Sequence, residues 1–192
     1  RRMLEANREA ARYFHETLFT PEGAAALSYL QGRGLNAKII RHFGLGCAPN
    51  RWDGLLRHMR QKGYSEAELV NANLARRSDK NGRTSCYDNF RNRMMIPIID
   101  LRGNVIAFGG RVLDDAKPKY VNTSDTLVYK KSQAIFALNF AKSANQGKLI
   151  LAEGYMDVIA YHQAGFTNAV ACLGTALTRE QARLLARYAD CL

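Results

Sequence analysis

Residues 148–192 alternate between short apolar runs and amphipathic stretches, and this alternation limits the possible folds more than any other feature of the sequence. Strands that alternate with helices favour parallel βαβ units, because each crossover helix returns the chain to the same end of the sheet. A Thr178/Gln181 capping box marks the start of the last helix. The pattern predicts a parallel sheet that a further strand would join at the end of the sequence. The predicted order is strand, helix, strand, helix over residues 148–152, 155–164, 168–172 and 178–189.

The first third of the sequence has the pattern of a small helical cluster. Apolar residues recur at helical spacing, and N-capping residues and glycines separate the segments. A Ser65/Glu68 capping box opens the last segment. Helices are predicted over residues 3–19, 21–32, 36–43 and 53–62, and from residue 65 onward.

The middle of the sequence is predicted to be rich in β-structure. Residues 76–87 are polar and keep no period, so we expect irregular structure there. The pair Gly109-Gly110 is expected to bend or bulge the chain. Strands are predicted over residues 94–99 and 105–108, with the bend or bulge affecting residues 111–113. Short extended pieces are predicted around Tyr120 and Ile135, and a helix over residues 138–144. The whole chain is therefore predicted to be α+β.

The charge of the chain is unevenly distributed. Residues 1–147 contain 24 Lys and Arg against 13 Asp and Glu, whereas residues 148–192 contain 4 of each kind. The net charge of +11 therefore lies entirely in the first part. A generic basic surface explains this excess, and so does a face that attracts nucleic acid through its phosphates.

Composition excludes several classes of protein. Hydrophobic residues make up 47% and charged residues 23%, as in ordinary globular domains. No apolar run approaches the roughly 20 residues that span a bilayer, and no signal peptide is evident, so we expect a soluble, cytoplasmic protein with no membrane partner. The four cysteines form no CxxC pair, which argues against a zinc site.

Two acidic residues follow the first predicted strand of residues 148–192. Glu153-Gly154 comes at the strand's carboxyl end, where open α/β sheets bind ligands, and Asp157 follows one helical turn later. Two convergent carboxylates suit Mg²⁺, which prefers a few oxygen ligands together with water and phosphate. Acidic residues are also favoured at helix N-termini by the helix dipole, and the spacing leaves both explanations open.

Several ordered motifs resemble those of one family, the bacterial DnaG-type DNA primases. Two of these motifs resemble parts of the family's Toprim domain: Glu153-Gly-Tyr-Met-Asp-Val158 and Ala171-Cys-Leu-Gly-Thr-Ala-Leu-Thr178. Four other motifs resemble parts of the family's basic subdomain: Phe90-Arg-Asn-Arg-Met-Met-Ile-Pro-Ile98, Phe108-Gly-Gly-Arg111, Pro118-Lys-Tyr-Val-Asn122 and Lys130-Lys-Ser132. Tyr29-Leu-Gln-Gly-Arg-Gly34 fits the family less distinctively. Lys130 departs from the pattern, since histidine is common there.

The resemblance implies a fold and a function. Residues 1–145 would be the basic, nucleic-acid-binding subdomain of the primase core, and residues 146–192 the N-terminal part of a Toprim domain with a parallel sheet. The enzyme would be a DNA-directed RNA polymerase, a nucleotidyltransferase that makes short RNA primers on single-stranded DNA from ribonucleoside triphosphates. A C-terminal domain outside this chain would contact the replicative helicase. As a fragment that lacks the remaining Toprim acids, the chain is expected to be inactive alone.

The resemblance also implies roles for individual residues. Glu153 and Asp157 would bind Mg²⁺ or Mn²⁺, and Glu153 would act as general base for the primer 3′-hydroxyl. Asn122 would contact a sugar or phosphate, although a turn-stabilising role is equally compatible with the sequence. Tyr120 would stack on a base or belong to the core. The basic cleft would contain Arg91, Arg93, Arg111, Lys119 and Lys131, for which solvated surface charge is the alternative.

Two other functions remain open from the sequence. The chain could act only as a module that binds single-stranded nucleic acid, because two carboxylates seldom suffice for two-metal chemistry. It could also come from a phage-type primase-helicase. Trp52 is expected to serve in helix packing.

Overall fold

The computed structural model describes residues 1–80, 82–144, 147–173 and 176–191, and it confirms the predicted α+β class. The helices are α1 (Arg2–Leu18), α2 (Ala24–Gly32), α3 (Ala37–His42), α4 (Gly54–Gln61), α5 (Glu66–Asn71), α6 (Leu138–Ala141), α7 (Tyr155–Gln163) and α8 (Arg179–Leu185). The strands are β1 (Gly46–Ala48), β2 (Ala75–Lys80), β3 (Arg83–Asp88), β4 (Arg93–Ile99), β5 (Val105–Val112), β6 (Tyr120–Asn122), β7 (Ile135–Phe136), β8 (Ile150–Ala152) and β9 (Ala169–Cys172).

Some predictions lie outside the described residues. These are the domain boundary between residues 145 and 146, Gly174 and Thr175 of the second Toprim motif, and the last residue, Leu192.

A four-stranded antiparallel sheet, in the order β1-β4-β5-β6, forms the centre of the molecule. Successive side chains of a strand point to opposite faces, and the buried strand β4 therefore serves two cores. On one face Met94 and Ile96 belong to the core that includes α7. On the other face Met95 belongs to the core formed with α1, α4 and α5. The sheet thus separates a side that holds α7 together with α2 and α3 from a side that holds α1, α4 and α5.

The helical cluster confirms the predicted pattern. Phe14 of α1 packs edge-to-face on Phe90 and Phe108, with ring centroids 6.5 and 5.4 Å apart. A β-carbon on Gly46 would lie 2.6 Å from the backbone carbon of Phe14, so only glycine allows α1 to approach β1 this closely. The predicted Ser65/Glu68 capping box is present at the start of α5.

Two predictions for the middle of the chain are wrong. Residues 76–87 are not irregular, because β2 and β3 pair along their whole length as an antiparallel hairpin. The sequence shows no alternation of apolar and polar residues here, because this hairpin has polar side chains on both faces and little apolar surface to bury. Gly109-Gly110 does not bend the chain either, since both residues lie within the continuous strand β5.

The second sheet, in the order β7-β9-β8, confirms the parallel unit and adds an antiparallel edge. β8 and β9 pair in parallel through α7, as the alternation predicted. β7, expected in the sheet-rich middle, instead pairs antiparallel with β9. A two-residue strand carries no pattern that identifies its partner, which explains the misplacement. A parallel bridge between Lys148 and Cys191 lies where the alternation predicted the next strand.

Within the described ranges, none of the helices has the length and apolar character needed to cross a bilayer.

Candidate active site and nucleic-acid interface

The two acidic residues lie together in an open cavity of about 500 Å³, which we call the acidic cleft. Glu153 follows the end of β8, and Asp157 lies in the first turn of α7. Both side chains are exposed. Among the residues that the structure describes, neither carboxylate forms an ion pair or a hydrogen bond. The oxygens of both residues are therefore free to bind a ligand from solvent.

Polar and basic groups line the same cleft. The phenol of Tyr155 donates a 2.9 Å hydrogen bond to Oδ1 of Asn122, which fixes the amide of Asn122. Burial raises the pKa of Tyr155, so the phenol stays a neutral donor. Lys131 also lines the cleft, and its backbone N–H is held by Asp125 at 3.0 Å. Of the predicted cations and Asn122, the ones that share a cavity with the acids are Asn122 and Lys131.

Two arginines meet on one tyrosine ring beside the cleft. The guanidinium of Arg111 lies 4.1 Å from the ring centroid of Tyr29, and that of Arg33 lies 5.9 Å away. Arg33 itself lines the acidic cleft and was not among the predicted site residues. The motif Gly32-Arg33-Gly34 contained the signal, since a cation between glycines can approach a ligand closely. Cation–π contacts hold both guanidinium groups in place without neutralising them.

Arg91 and Arg93 line a different cavity of about 390 Å³, which we call the basic groove. Arg93 is anchored by 3.2 Å hydrogen bonds from Nη1 to the carbonyls of Gly110 and Pro118. The edge strand β6 separates the two cavities, because Val121 faces the basic groove while its two neighbours line the acidic cleft. Arg91 and Arg93 therefore lie across the sheet from Lys131, and Arg111 and Lys119 line neither cavity.

Lys119 and Tyr120 lie at the start of β6. Lys119 is exposed and immediately precedes β6. Tyr120 is half-buried, its burial raises its pKa, and its ring lies 6.1 Å from that of Tyr155. Tyr120 packs on the core, which is one of the two roles left open by the sequence, and it also lines the acidic cleft, while stacking on a base stays a prediction.

An exposed aromatic stack extends the basic groove. Trp52 is 55% exposed and does not serve in helix packing, which corrects the prediction. Its ring stacks on Tyr87 of the hairpin at 4.5 Å with an interplanar angle of 25°. The guanidinium of Arg91 lies 4.8 Å from the Trp52 ring and 5.0 Å from the Tyr87 ring. We call Trp52, Tyr87 and Arg91 the aromatic platform, a combination of flat rings and positive charge that suits nucleic-acid bases and phosphates.

Comparisons with known proteins identify the family of the chain. Residues 13–142 match the family model described as the DNA primase catalytic core, N-terminal domain. The chain belongs to this primase family. Residues 150–192 match a second model, described as Toprim-like. The second match begins at the first residue of β8 and includes both acids of the cleft.

Curated primases resemble the chain over almost its whole length. The DNA primase of Clostridium acetobutylicum is 49% identical over 98% of this chain, which spans 31% of that relative. The DNA primase of Deinococcus radiodurans is 51% identical over 97% of this chain and 32% of its own length. The chain thus spans about a third of the length of these relatives.

Solved structures of primase domains have the same fold. The DnaG primase catalytic domain bound to single-stranded DNA superposes with a TM-score of 0.90 at 36% identity, covering 99% of this chain and 59% of its own. The RNA polymerase domain of Mycobacterium tuberculosis primase DnaG, in complex with a double-stranded DNA with a 6-nucleotide overhang, gives a TM-score of 0.91 at 40% identity. That match covers 97% of this chain and 59% of the other.

The cleft offers few metal ligands. Within the part of the chain that the structure describes, no group of three or more His, Cys, Asp or Glu side chains could enclose a metal ion. The carboxylates of Glu153 and Asp157 supply hard oxygen donors in an open cavity. This donor set fits Mg²⁺, which keeps several waters and uses substrate phosphates as further ligands, better than a fully protein-enclosed ion.

Proposed function

We propose that this chain is part of the RNA polymerase core of a DNA primase, which makes short RNA primers on single-stranded DNA. One observation carries the proposal: the acidic cleft and the basic groove with its aromatic platform lie on either side of the same edge strand, β6. A nucleotidyltransferase needs both, one site for the reacting phosphate and another for the template.

In the acidic cleft, Glu153 and Asp157 would hold Mg²⁺ or Mn²⁺. The ion would neutralise charge on the triphosphate of the incoming nucleotide. Glu153 would accept the proton of the primer 3′-hydroxyl. Lys131, Asn122 and the arginines on Tyr29 would bind the phosphates and sugar, since arginine suits bidentate phosphate contacts and lysine supplies a mobile charge.

In the basic groove, the aromatic platform would stack on template bases while Arg91 and Arg93 contact phosphates. Aromatic rings accept any base, so such a site suits a template of arbitrary sequence. The solved primase domains with bound DNA support nucleic-acid binding by this fold.

The partners of the complete protein would be single-stranded DNA, ribonucleoside triphosphates, the RNA primer and, through a domain outside this chain, the replicative helicase. The division into a basic subdomain over residues 1–145 and a Toprim part over 146–192 also remains our proposal. The match of the two family models to residues 13–142 and 150–192 supports it.

The test uses Glu153→Gln in the complete enzyme. This substitution keeps the shape of the side chain and removes a ligand charge and a base. We expect primer synthesis to fall by at least the 10²–10⁴-fold typical of a lost general base, with unchanged affinity for single-stranded DNA. The matched control is Glu180→Gln in the first turn of α8, which should leave synthesis unchanged. Normal primer yield from Glu153→Gln would refute the assignment.

A second candidate function is binding of nucleic acid without catalysis by this chain alone. The presence of only two carboxylates in the described part of the cleft favours it, because two-metal chemistry uses more ligands. Measuring primer synthesis and salt-dependent DNA binding on the same preparation separates the two candidates. Robust synthesis by the chain alone would exclude the second.

A further inference from the structure

Asp88 is a buried carboxylate that none of the functions above uses. Its side chain is 3% exposed and lies at the end of β3, directly after Tyr87. Its two oxygens accept backbone hydrogen bonds from Leu55 at 2.8 Å and Leu56 at 2.9 Å. These are N–H groups of the first turn of α4, which have no partner within the helix. Asp88 therefore caps α4 from a distant part of the chain.

The local residue that could have capped α4 does not do so. Asp53 occupies the N-cap position, but its side chain makes no capping hydrogen bond and instead pairs with Arg57 at 3.0 Å. The start of α4 is thus tied to the hairpin and not to its own flanking sequence. Trp52 lies just before α4 in the sequence. The hydrogen bonds from α4 to Asp88 therefore also determine the position of the Trp52 ring.

The backbone of Asp88 contacts the other members of the aromatic platform. Its N–H donates to the carbonyl oxygen of Trp52 at 2.9 Å. Its carbonyl oxygen accepts a hydrogen bond from Nη1 of Arg91. Tyr87 precedes it in β3 and stacks on Trp52. All three members of the platform are thus bonded to Asp88 or adjacent to it in the chain.

We propose that Asp88 is a positioning residue, which holds Trp52, Tyr87 and Arg91 in the stacked arrangement that binds single-stranded DNA. This inference rests on the proposed function of the platform. It deepens that function by assigning the alignment of the stack to one buried carboxylate. Loss of the carboxylate would release the start of α4 and leave two buried N–H groups without acceptors, so Trp52 would separate from Tyr87.

Asp88 also makes the arrangement sensitive to pH. Burial raises its pKa to about 6, opposed by the two backbone hydrogen bonds. The other charged or titratable groups that act on it are Asp53 at the start of α4, Arg91 after β3 and Tyr13 of α1. As the pH falls through about 6, the protonated oxygen ceases to accept from α4, and the tie weakens.

The first measurement uses the intrinsic fluorescence of the chain. Trp52 is the only tryptophan in the sequence, so the emission reports this residue alone. We compare the wild type with Asp88→Asn, Asp88→Ala and the matched control Asp53→Asn, all without DNA. Wild type should show an emission change with a midpoint near pH 6, Asp53→Asn should show the same change at a lower pH because a neighbouring negative charge is lost, and Asp88→Asn should show none. A change that persists in Asp88→Asn, or that is absent from the wild type, would overturn the proposal.

The second measurement is the affinity for a fluorescently labelled oligo-dT. Asp88→Ala should bind about tenfold more weakly than wild type, close to the loss from Trp52→Ala, because both remove an aligned stacking surface. Asp53→Asn should bind normally. Wild-type affinity and emission for Asp88→Ala would contradict the inference, and if that variant fails to fold, the pH titration of Asp88→Asn decides.

The two proposals fail in different ways. Wild-type affinity of Trp52→Ala would refute template binding at the platform. The emission of Trp52 in the absence of DNA would still show whether Asp88 holds the stack.

Discussion

Replacing Gly109 by alanine would place a methyl group where the ring of Tyr155 already lies. A β-carbon at Gly109 would be 2.9 Å from ring carbons Cε2 and Cζ and 3.0 Å from the hydroxyl oxygen. The ring has little room to move, because Phe136 packs edge-on at 4.9 Å and Asn122 accepts its hydrogen bond. The glycine therefore allows α7, which carries Tyr155, to approach the sheet closely.

The expected cost follows from overpacking. Inserting a methyl group into a closely packed core costs about 1–3 kcal/mol, and the backbone at Gly109 adds no strain because its φ is not positive. For a chain of this size each kcal/mol lowers the melting temperature by about 2–4 °C. Chemical unfolding followed by circular dichroism measures the free energy directly. In the complete enzyme, primer synthesis should fall more than DNA binding, because Tyr155 adjoins the acidic cleft and the platform lies across the sheet.

Gly32→Ala is the matched control. Gly32 ends α2, and a β-carbon there would meet no atom within 4 Å. The same substitution should therefore stabilise the chain by about 0.5–1 kcal/mol, because alanine loses less backbone entropy on folding. Opposite signs for the two variants would support the packing argument. Equal unfolding free energies for wild type and Gly109→Ala would refute it.

Three further substitutions test the groove and the core. Trp52→Ala should weaken binding of single-stranded DNA by about 1–3 kcal/mol in fluorescence anisotropy, with little change in unfolding because the ring is 55% exposed; full affinity would exclude stacking. Arg91→Gln should lower the slope of log affinity against log salt by about 0.7 if Arg91 contacts one phosphate, and an unchanged slope would argue against that contact. Phe14→Ala should reduce the free energy of unfolding by about 3–5 kcal/mol, since the ring is buried against Phe90 and Phe108, and a loss below 1 kcal/mol would contradict this packing.

The acidic cleft was predictable because its signal is local. Glu153 and Asp157 are four residues apart, and the strand-to-helix transition between them determines that they face the same cavity. The roles of the two residues remain predictions. The parallel pairing of β8 and β9 was predictable for the same reason, since periodicity and the intervening helix lie within one continuous segment.

The aromatic platform was not predictable because its members come from separate segments. Trp52 and Tyr87 are 35 positions apart in the sequence and meet only because β3 belongs to a hairpin that has no clear period. The cap of α4 is similarly distant, at a separation of 33 residues between Asp88 and Leu55. Sequence rules for helix capping consider only the residues next to a helix. Asp53 is a suitable N-cap residue by these rules, but its side chain makes no capping hydrogen bond.

The division of the cations by β6 leads to a prediction about Lys119. A nucleic-acid strand that contacts both the platform and the acidic cleft has to cross the edge of the sheet, where β6 is the last strand. Lys119 is exposed and immediately precedes this edge strand. An oligonucleotide long enough to cross β6 should therefore lose affinity on Lys119→Gln, with a smaller salt dependence.

A short oligonucleotide that occupies only the platform should bind Lys119→Gln as tightly as wild type. Lys117→Gln is the control, since it removes an equal charge from the exposed loop before the strand. If both lysine variants weaken both oligonucleotides equally, the effect is one of net charge. In that case the strand does not cross β6 at Lys119, and the two cavities act on nucleic acid that reaches them by separate routes.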